Sequence, residues 1–168
     1  FDSINFSLTK KTFPGAKLVH LTDQNSSDLE KAITVAFEHK ADFISLAGAF
    51  GRRMDHSMGT ISTLIRYYQR CRICVIDQDA MALLIGPDSF GCATFTVQAN
   101  KNELISLLPF TSQVVVSVSG VKWPLANETL NAGTRGISNR ALGGTVQVQA
   151  HKGLILFCHM AARWGQHL

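Results

Sequence analysis

The chain has 168 residues, of which 46% are hydrophobic and 17% are charged, so it can bury a core and does not have the composition of a disordered protein. Its net charge is +4 and its pI about 9.0, but the basic residues are scattered and form no stripe with interleaved aromatics, which argues against nucleic acid as a partner. The sequence shows no apolar run long enough to span a bilayer and no opening basic-then-apolar secretory signal, so no membrane association is predicted.

The first half alternates between strand-like and helix-like segments. The clearest helix is "SSDLEKAITVAFEHK", in which Ser27 and Glu30 have the spacing of a capping box. A second helix, "MDHSMGTISTLIRYY", places Met58, Ile61, Leu64 or Ile65, and Tyr68 on one apolar face. Three strands are predicted around these helices: "AKLVHLTDQ" ending near Asp23, "ADFISLAG" and "RICVID". This alternation predicts a parallel sheet with crossover helices.

The cysteines of this sequence do not form a recognisable metal motif. Cys71 and Cys74 make a single CxxC, Cys92 and Cys158 stand alone, and no second pair completes a zinc site. Because "RCRICVID" has the pattern of a strand, we expect buried or half-buried free thiols. Free thiols are typical of a reducing compartment, so a cytoplasmic location is predicted.

The second half has a different pattern. From Phe90 onward only short alternating or β-rich runs occur, separated by Gly, Asn and Pro clusters, which predicts an all-β segment in the form of a sandwich. We therefore predict an α/β domain over residues 1–87 and a β-sandwich domain over residues 88–168. The predicted strands are "CATFTVQA", "ELISLLPF", "QVVVSVSG", "TVQVQA" and "GLILFCH".

Four aspartates, Asp2, Asp23, Asp28 and Asp55, fall where strands end or helices begin. Because ligands of an open parallel sheet bind beyond the carboxyl ends of its strands, we expect Asp23, Asp28 and Asp55 to converge, joined by Asp2 if a strand precedes it. Clustered carboxylates usually hold a cation, and Mg²⁺ is bound by one or two carboxylates plus substrate phosphates. Asp28 and Asp55 also fit a purely structural role, since negative charge stabilises a helix N-terminus.

The turn "AGAFGRRMDH" carries more charge than a surface turn needs. Arg52 or Arg53 would complement phosphate oxygens, for which a planar guanidinium is well suited. His56 fits a solvated or capping histidine better than a catalytic base. The turn therefore predicts a site for a metal–polyphosphate.

A long, poorly periodic segment, "SGVKWPLANETLNAGTRGISN", interrupts the β-rich half. Trp123 precedes Pro124, which holds the tryptophan backbone extended. Two interpretations stay open: Trp123 is either a core aromatic or a flat wall on which a flat ligand ring stacks.

Four of these segments, in this order, resemble motifs of the thiamine pyrophosphokinase family. "FDSI" resembles the end of its G-D-x-D-S motif, and "DQNSSDLEKAI" resembles its D-Q-x-x-T-D segment. "GAFGRRMDH" is similar to its G-R-x-D turn, and "SGVKWPLANETLNAG" followed by "GISN" is similar to its K-W and S-N region. The resemblance covers nearly the whole chain, from Phe1 to about Phe157.

The resemblance implies a fold and an activity. The fold would be a partial Rossmann-like parallel sheet followed by a β-sandwich, in a homodimer whose active site is shared between subunits. The activity would be the transfer of pyrophosphate from ATP to thiamine with Mg²⁺, which gives thiamine diphosphate and AMP.

The resemblance also implies roles for particular residues. Asp28, Asp55 and Arg53 would be catalytic, and Arg53 would also bind the polyphosphate. One carboxylate, Asp28 or Asp55, would orient or deprotonate the thiamine hydroxyl. The metal ligands would be Asp2, Asp23, Asp28 and Asp55, and the substrate-binding residues would be Gln24, Arg53, Trp123, Ser138 and Asn139.

Several positions depart from the family pattern. The chain lacks the first Gly-Asp of the G-D-x-D-S motif and does not begin with Met, so we expect it to start inside a longer protein. Ser27 stands where the family usually has Thr, Arg52 where it usually has Gly, and Asn25 where some members are acidic. The missing segment, Arg52 and Asn25 leave a non-catalytic thiamine-binding dimer open as an alternative. A metal-dependent phosphohydrolase is a further alternative, independent of the resemblance, since an acidic cluster on an α/β sheet suits that chemistry too.

Overall fold

The computed structural model describes residues 11–12, 14–15, 19, 21–51, 53–77, 79–87 and 93–161. The chain divides into two compact units, Phe1–Lys40 and Ala41–Leu168. The fold is mixed, rich in β-sheet and poor in helix. None of the helices within these ranges combines the length and the apolar character needed to cross a membrane.

The first unit contains helix α1, Asp28–Glu38, and confirms the predicted capping box. Ser27 Oγ accepts a hydrogen bond from the Glu30 N–H at 3.3 Å, and the Glu30 carboxylate accepts one from the Ser27 N–H at 3.4 Å. These bonds satisfy backbone donors that the first turn of a helix cannot pair internally. The sequence signal was local, which explains why it identified this helix correctly.

The strand predicted before α1 is not found in the described part of that segment. Val19 and the residues 21–23 lie outside any strand, and residues 24–26 form a bend. The bend has a local cause: the Asp23 carboxylate accepts hydrogen bonds from the Asn25 N–H, at 2.9 Å, and from the Ser26 hydroxyl. Such side-chain bonds compete with the hydrogen bonds of a strand.

The second unit begins with a strand–helix–strand motif, as predicted. Strand β1, Phe43–Ala47, pairs in parallel with β2, Arg72–Ile76, and helix α2, Met54–Tyr67, connects them. A parallel pair needs such a crossover connection, which is why the alternation in the sequence identified it.

The buried face of α2 differs from the predicted one. Thr60, Thr63, Leu64 and Tyr67 are buried, whereas Met58 is 53% exposed. The two threonines tolerate burial because their hydroxyls donate to backbone carbonyls within the helix, from Thr60 to His56 at 3.0 Å and from Thr63 to Gly59 at 2.9 Å. The spacing of apolar residues alone could not predict that two hydrogen-bonded threonines lie on the buried face.

The strands of the second unit form two sheets. The strands after β2 are β3 (Ala80–Ile85), β4 (Thr94–Ala99), β5 (Leu104–Pro109), β6 (Val114–Ser119), β7 (Leu125–Leu130), β8 (Asn139–Arg140), β9 (Gly144–Lys152) and β10 (Ile155–Met160). A six-stranded sheet has the order β1-β2-β3-β10-β5-β8, and a four-stranded sheet has the order β4-β9-β6-β7. Apart from β1 with β2, the described strand pairs are antiparallel.

The five strands predicted in the second half are found, as β4, β5, β6, β9 and β10. Strands from both sides of residue 87 share the six-stranded sheet, in which β10 pairs with β3 as well as with β5. The division into domains 1–87 and 88–168 stays a prediction.

The hydrophobic core draws on both sheets. Val114, Val116 and Val118 of β6 are buried in one cluster with Ile155 and Phe157 of β10. In each strand these residues alternate, as expected for strands that present one face to a core. The two sheets therefore stabilise each other through one continuous apolar layer.

The described cysteines are free thiols, as the sequence predicted. Cys71 and Cys74 are buried, and Cys158 is half-buried. Burial raises the pKa of Cys158 to about 11, so its thiol stays protonated near neutral pH. Cys92 lies outside the described residues.

Candidate functional site

The charged turn after β1 is shaped by two glycines and anchored to α2. Gly48 has φ of 66° and Gly51 has φ of 130°, conformations that residues with a Cβ rarely adopt. The Thr60 hydroxyl donates to the Ala49 carbonyl at 2.8 Å, and the Gly51 N–H donates to Ser57 Oγ at 3.3 Å. The first turns of the helix therefore hold the loop in place.

This turn presents Arg53 and Asp55 as a pair at the start of α2. Arg53 Nε lies 3.1 Å from Asp55 Oδ1, and Arg53 Nη2 lies 2.5 Å from Asp55 Oδ2. Both side chains are well exposed, at 67% and 64%. Hydrogen bonds from the Arg53 guanidinium lower the pKa of Asp55 to about 2, so the carboxylate is ionised at neutral pH. The pair lies at a helix N-terminus, where backbone N–H groups favour anionic ligands.

The first unit holds a second acidic group, before and at the start of α1. A hydrogen bond from the Ser26 hydroxyl, with a further one from the Asn25 N–H, lowers the pKa of Asp23 below its usual value. Gln24 lies in the same bend, and Asp28 is the first residue of α1. Asp23, Gln24 and Asp28 are exposed, as a substrate site requires.

The predicted convergence of the four aspartates stays a prediction. Asp2 and Arg52 lie outside the described residues. Within the described ranges, no cluster of three or more His, Cys, Asp or Glu side chains has the arrangement of a metal site.

Trp123 is a surface residue, which excludes the core interpretation and leaves ligand stacking as a prediction. Its side chain is 54% exposed, so it is not a core aromatic. The Lys122 ammonium lies over the indole ring, 4.6 Å from its centroid. The exposed indole is available for contacts outside the core, and Lys122 supplies a cation–π contact to its ring.

The Trp123 backbone is held by the side chain of Asn139. The Trp123 N–H donates to Asn139 Oδ1 at 3.1 Å, and Asn139 Nδ2 donates to the Trp123 carbonyl at 2.7 Å. The neighbouring residues pair through their backbones, by a bridge between Val121 and Ala141. The carboxamide of Asn139 therefore continues this pairing to Trp123, because it offers the same donor and acceptor as a peptide group. Sequence analysis did not identify this link, which joins residues 16 positions apart.

Asn139 itself is held by a strained and close-packed loop. Ser138 has φ of 62°, and its N–H donates to Ser106 Oγ at 3.0 Å. The Leu107 N–H donates to the Gly136 carbonyl at 2.8 Å, and a Cβ on Gly136 would lie 2.1 Å from the Leu107 carbonyl oxygen. This position therefore requires glycine. The predicted S-N pair is fixed against β5, with Ser106 as a partner that the sequence did not indicate.

The charged turn and the Trp123 group belong to opposite edges of one sheet. Arg53 and Asp55 follow β1 at one edge, and Asn139 lies in β8 at the other. Neighbouring strands are separated by about 4.8 Å, so the two edge strands are about 24 Å apart.

Comparison with known proteins identifies two matching parts in the chain. The model of a catalytic domain matches residues 1–75, which include Arg53 and Asp55. The model of a vitamin B1 binding domain matches residues 94–155, which include Trp123 and Asn139. Both models describe thiamin pyrophosphokinase, and the chain belongs to the thiamine pyrophosphokinase family.

Individual relatives agree with this assignment. The chain is 30% identical to thiamin pyrophosphokinase 1 of Caenorhabditis elegans over 142 residues, which cover 79% of this chain and 56% of the relative. It is 26% identical to the thiamine pyrophosphokinase of Bacillus subtilis, over 93% of this chain and 73% of the relative. The crystal structure of a Bacillus subtilis thiamine pyrophosphokinase matches with a TM-score of 0.81 and 25% identity, covering 96% of this chain and 76% of that one. The chain thus spans little more than half of the nematode protein.

Proposed function

We propose that the protein transfers a pyrophosphoryl group from ATP to thiamine and so produces thiamine diphosphate and AMP. The observation that carries this proposal is the presence of two complementary surfaces in the matched parts of the chain. The Arg53–Asp55 pair at a helix N-terminus suits a polyphosphate. The exposed Trp123, whose backbone is hydrogen-bonded to Asn139, suits an aromatic vitamin.

The donor set fits a magnesium ion. Asp23 and Asp55 offer exposed carboxylates whose pKa values lie below the usual range, and hard carboxylate oxygens are ligands that Mg²⁺ prefers. Asp2, Asp23, Asp28 and Asp55 are the proposed holders, and one or two carboxylates suffice when substrate phosphates complete the coordination. A bound Mg²⁺ would neutralise charge on the phosphates of ATP.

The residues of the charged turn position the reacting groups. Two of the five N–H donors of Arg53 point to Asp55, which leaves three for phosphate oxygens. With a pKa of about 2, Asp55 is a weak base and suits an orienting role better than proton removal at neutral pH. The pKa of Asp28 also lies below its ordinary value, so Asp28 and Asp55 both remain candidates to orient the thiamine hydroxyl. Gln24 is proposed to bind substrate beside Asp23.

The vitamin-binding residues form the second half of the site. We propose that the thiamine pyrimidine ring stacks on Trp123, close to Ser138 and Asn139. The φ of 62° at Ser138 supports this assignment, because strained backbone conformations are often kept at ligand sites.

The proposed enzyme is a homodimer whose active sites are shared between subunits. The edge strands that carry the two surfaces are about 24 Å apart within one chain. This separation favours a site in which a second copy brings its Trp123 to the Asp55 of the first. A C₂ dimer would create two such sites.

The proposal extends to the two parts of the fold and to the cellular location of the protein. We propose a partial Rossmann-like sheet over residues 1–87 followed by a β-sandwich over residues 88–168. The parallel β1–α2–β2 motif supports the former, and the antiparallel strands after residue 93 support the latter. Free Cys71, Cys74 and Cys158 support a cytoplasmic location.

One assay separates this function from its alternatives. AMP formation from ATP should require both thiamine and Mg²⁺, and Asp55→Asn should abolish it while the circular dichroism spectrum stays unchanged, since the substitution is exposed and isosteric. A non-catalytic thiamine-binding dimer would bind thiamine in calorimetry but form no AMP. A metal-dependent phosphohydrolase would cleave ATP without thiamine. Near-normal turnover of Asp55→Asn would remove this residue from the site.

A further inference from the structure

The polar atoms of the Asn139 side chain are hydrogen-bonded to the protein backbone. Its Oδ1 accepts from the Trp123 N–H at 3.1 Å and from the Arg140 N–H at 2.9 Å, and its Nδ2 donates to the Trp123 carbonyl at 2.7 Å. A carboxamide has two N–H donors and one oxygen with two lone pairs. Both lone pairs and one donor are therefore engaged, and little of the group remains for a ligand.

Two neighbours restrain the backbone of Trp123. Pro124 disfavours the helical conformation for the residue before it, and the Asn139 carboxamide binds both the backbone N–H and the backbone carbonyl of Trp123. Trp123 is 54% exposed and is not held by a surrounding core, and the Lys122 ammonium lies 4.6 Å from the centroid of its ring. The direction in which its side chain leaves the surface therefore depends on the restraint of its backbone.

We propose that Asn139 is a positioning residue, which acts on the aromatic ligand only through Trp123 and does not bind the ligand itself. This inference rests on the proposed stacking of thiamine on Trp123. Pre-organising a binding surface raises affinity because less conformational freedom is lost when the ligand binds. Asn139 supplies this pre-organisation by a hydrogen-bonded link across 16 residues of chain.

A double-mutant cycle measured by thiamine calorimetry distinguishes positioning from direct contact. Trp123→Ala and Asn139→Ala should each raise the Kd for thiamine about 3- to 10-fold, the range that corresponds to one stacking contact. The double variant should bind no more than about twofold more weakly than Trp123→Ala, because no indole remains to be misplaced. Effects that multiply in the double variant, or an unchanged Kd in Asn139→Ala, would overturn the proposal.

Two further variants serve as a control and as a substitute for Asn139→Ala. Asn131→Ala removes an exposed asparagine from the same segment and should leave the Kd unchanged. Asn139→Asp keeps the acceptor oxygens but loses the N–H donor to Trp123. It replaces Asn139→Ala in the double-mutant cycle if the alanine variant does not fold. The affinity for Mg²⁺–ATP should be unchanged in these variants, since a general loss of structure would lower both affinities.

A second measurement needs no ligand. The chain has two tryptophans, so Trp164→Phe leaves Trp123 as the sole indole. In this background, Asn139→Ala should lower the fluorescence anisotropy of Trp123 and increase its quenching by acrylamide, whereas Asn131→Ala should change neither. If the protein fails to bind thiamine, the proposed function fails, yet this measurement still decides whether Asn139 positions Trp123. Unchanged anisotropy and quenching in Asn139→Ala would refute the positioning role.

Discussion

The guanidinium of Arg53 and the carboxylate of Asp55 bind each other, with Nη2 and Oδ2 2.5 Å apart, in front of the first turn of α2. The sequence presented these residues as two separate candidates, one for phosphate and one for metal. Their pairing means that each holds the other in place before any substrate arrives. A substitution of Arg53 should therefore change the pKa of Asp55, and this coupling can be measured.

The pKa of Asp55 should depend on Arg53. Hydrogen bonds from Arg53 lower it to about 2, so Arg53→Gln should raise it toward the ordinary value of 3.8. Carbon-13 NMR titration of the carboxyl group measures this shift, with Arg66→Gln, in the last turn of α2, as a control that leaves it unchanged. Because the folded-state pKa is the lower one, the pair stabilises the folded chain above about pH 4 and loses this effect as the pH falls toward 2. An unmoved titration midpoint would show that another group causes the shift.

Arg53→Lys should already impair catalysis. A lysine ammonium is a point charge and cannot replace a planar fork that binds a carboxylate and phosphate oxygens together. We expect kcat/KM for ATP to fall at least about tenfold, whereas Arg66→Lys should be neutral because that residue lies at the other end of the helix. Steady-state AMP formation is the measurement. A silent Arg53→Lys together with a damaging Arg52→Gly would mean that the neighbouring arginine is the phosphate ligand.

Elements with local signals could be predicted from the sequence, and those that depend on distant partners could not. The capping box of α1 lies within four consecutive residues, and strand β9 shows its alternation of apolar and polar residues directly. Strand β7, in contrast, lies in the segment that the sequence analysis described as poorly periodic, because its pairing with β6 determines it. Strand β3 was missed because a wholly apolar run has no period to identify.

The same distinction applies to the candidate site. The charged turn and Trp123 were recognised from residue types and motif spacing. The hydrogen bonds from Asn139 to Trp123 and from Ser138 to Ser106 join residues 16 and 32 positions apart, and no local pattern records them. The roles of these residues depend on the antiparallel pairing of distant segments, which only the folded chain provides.

The loop that carries Ser138 and Asn139 should be intolerant of a methyl group at Gly136. An added Cβ would lie 2.1 Å from the Leu107 carbonyl oxygen, so the loop or the strand must move. We expect Gly136→Ala to lower the free energy of unfolding by about 1–3 kcal/mol, as overpacking typically does. Gly59→Ala is the matched control: its Cβ meets no atom within 4 Å, and alanine in a helix should stabilise by about 0.5–1 kcal/mol. Urea denaturation of both variants measures the difference, and equal stabilities would contradict the close contact.

Two impaired chains should restore activity when they exchange subunits, in an assay at a thiamine concentration low enough that Trp123→Ala alone is impaired. Arg53 and Asp55 follow one edge strand of the six-stranded sheet and Trp123 is tied to the other, so a shared site would combine Asp55 of one copy with Trp123 of the next. A mixed dimer of a Trp123→Ala chain and an Asp55→Asn chain would contain one intact site and one doubly defective site. Random exchange makes half of the dimers mixed, so about a quarter of the unchanged activity should return. Sedimentation should show a dimer, and each variant alone should stay impaired. No recovery after demonstrated subunit exchange, or a monomer at assay concentration, would place both surfaces in one chain.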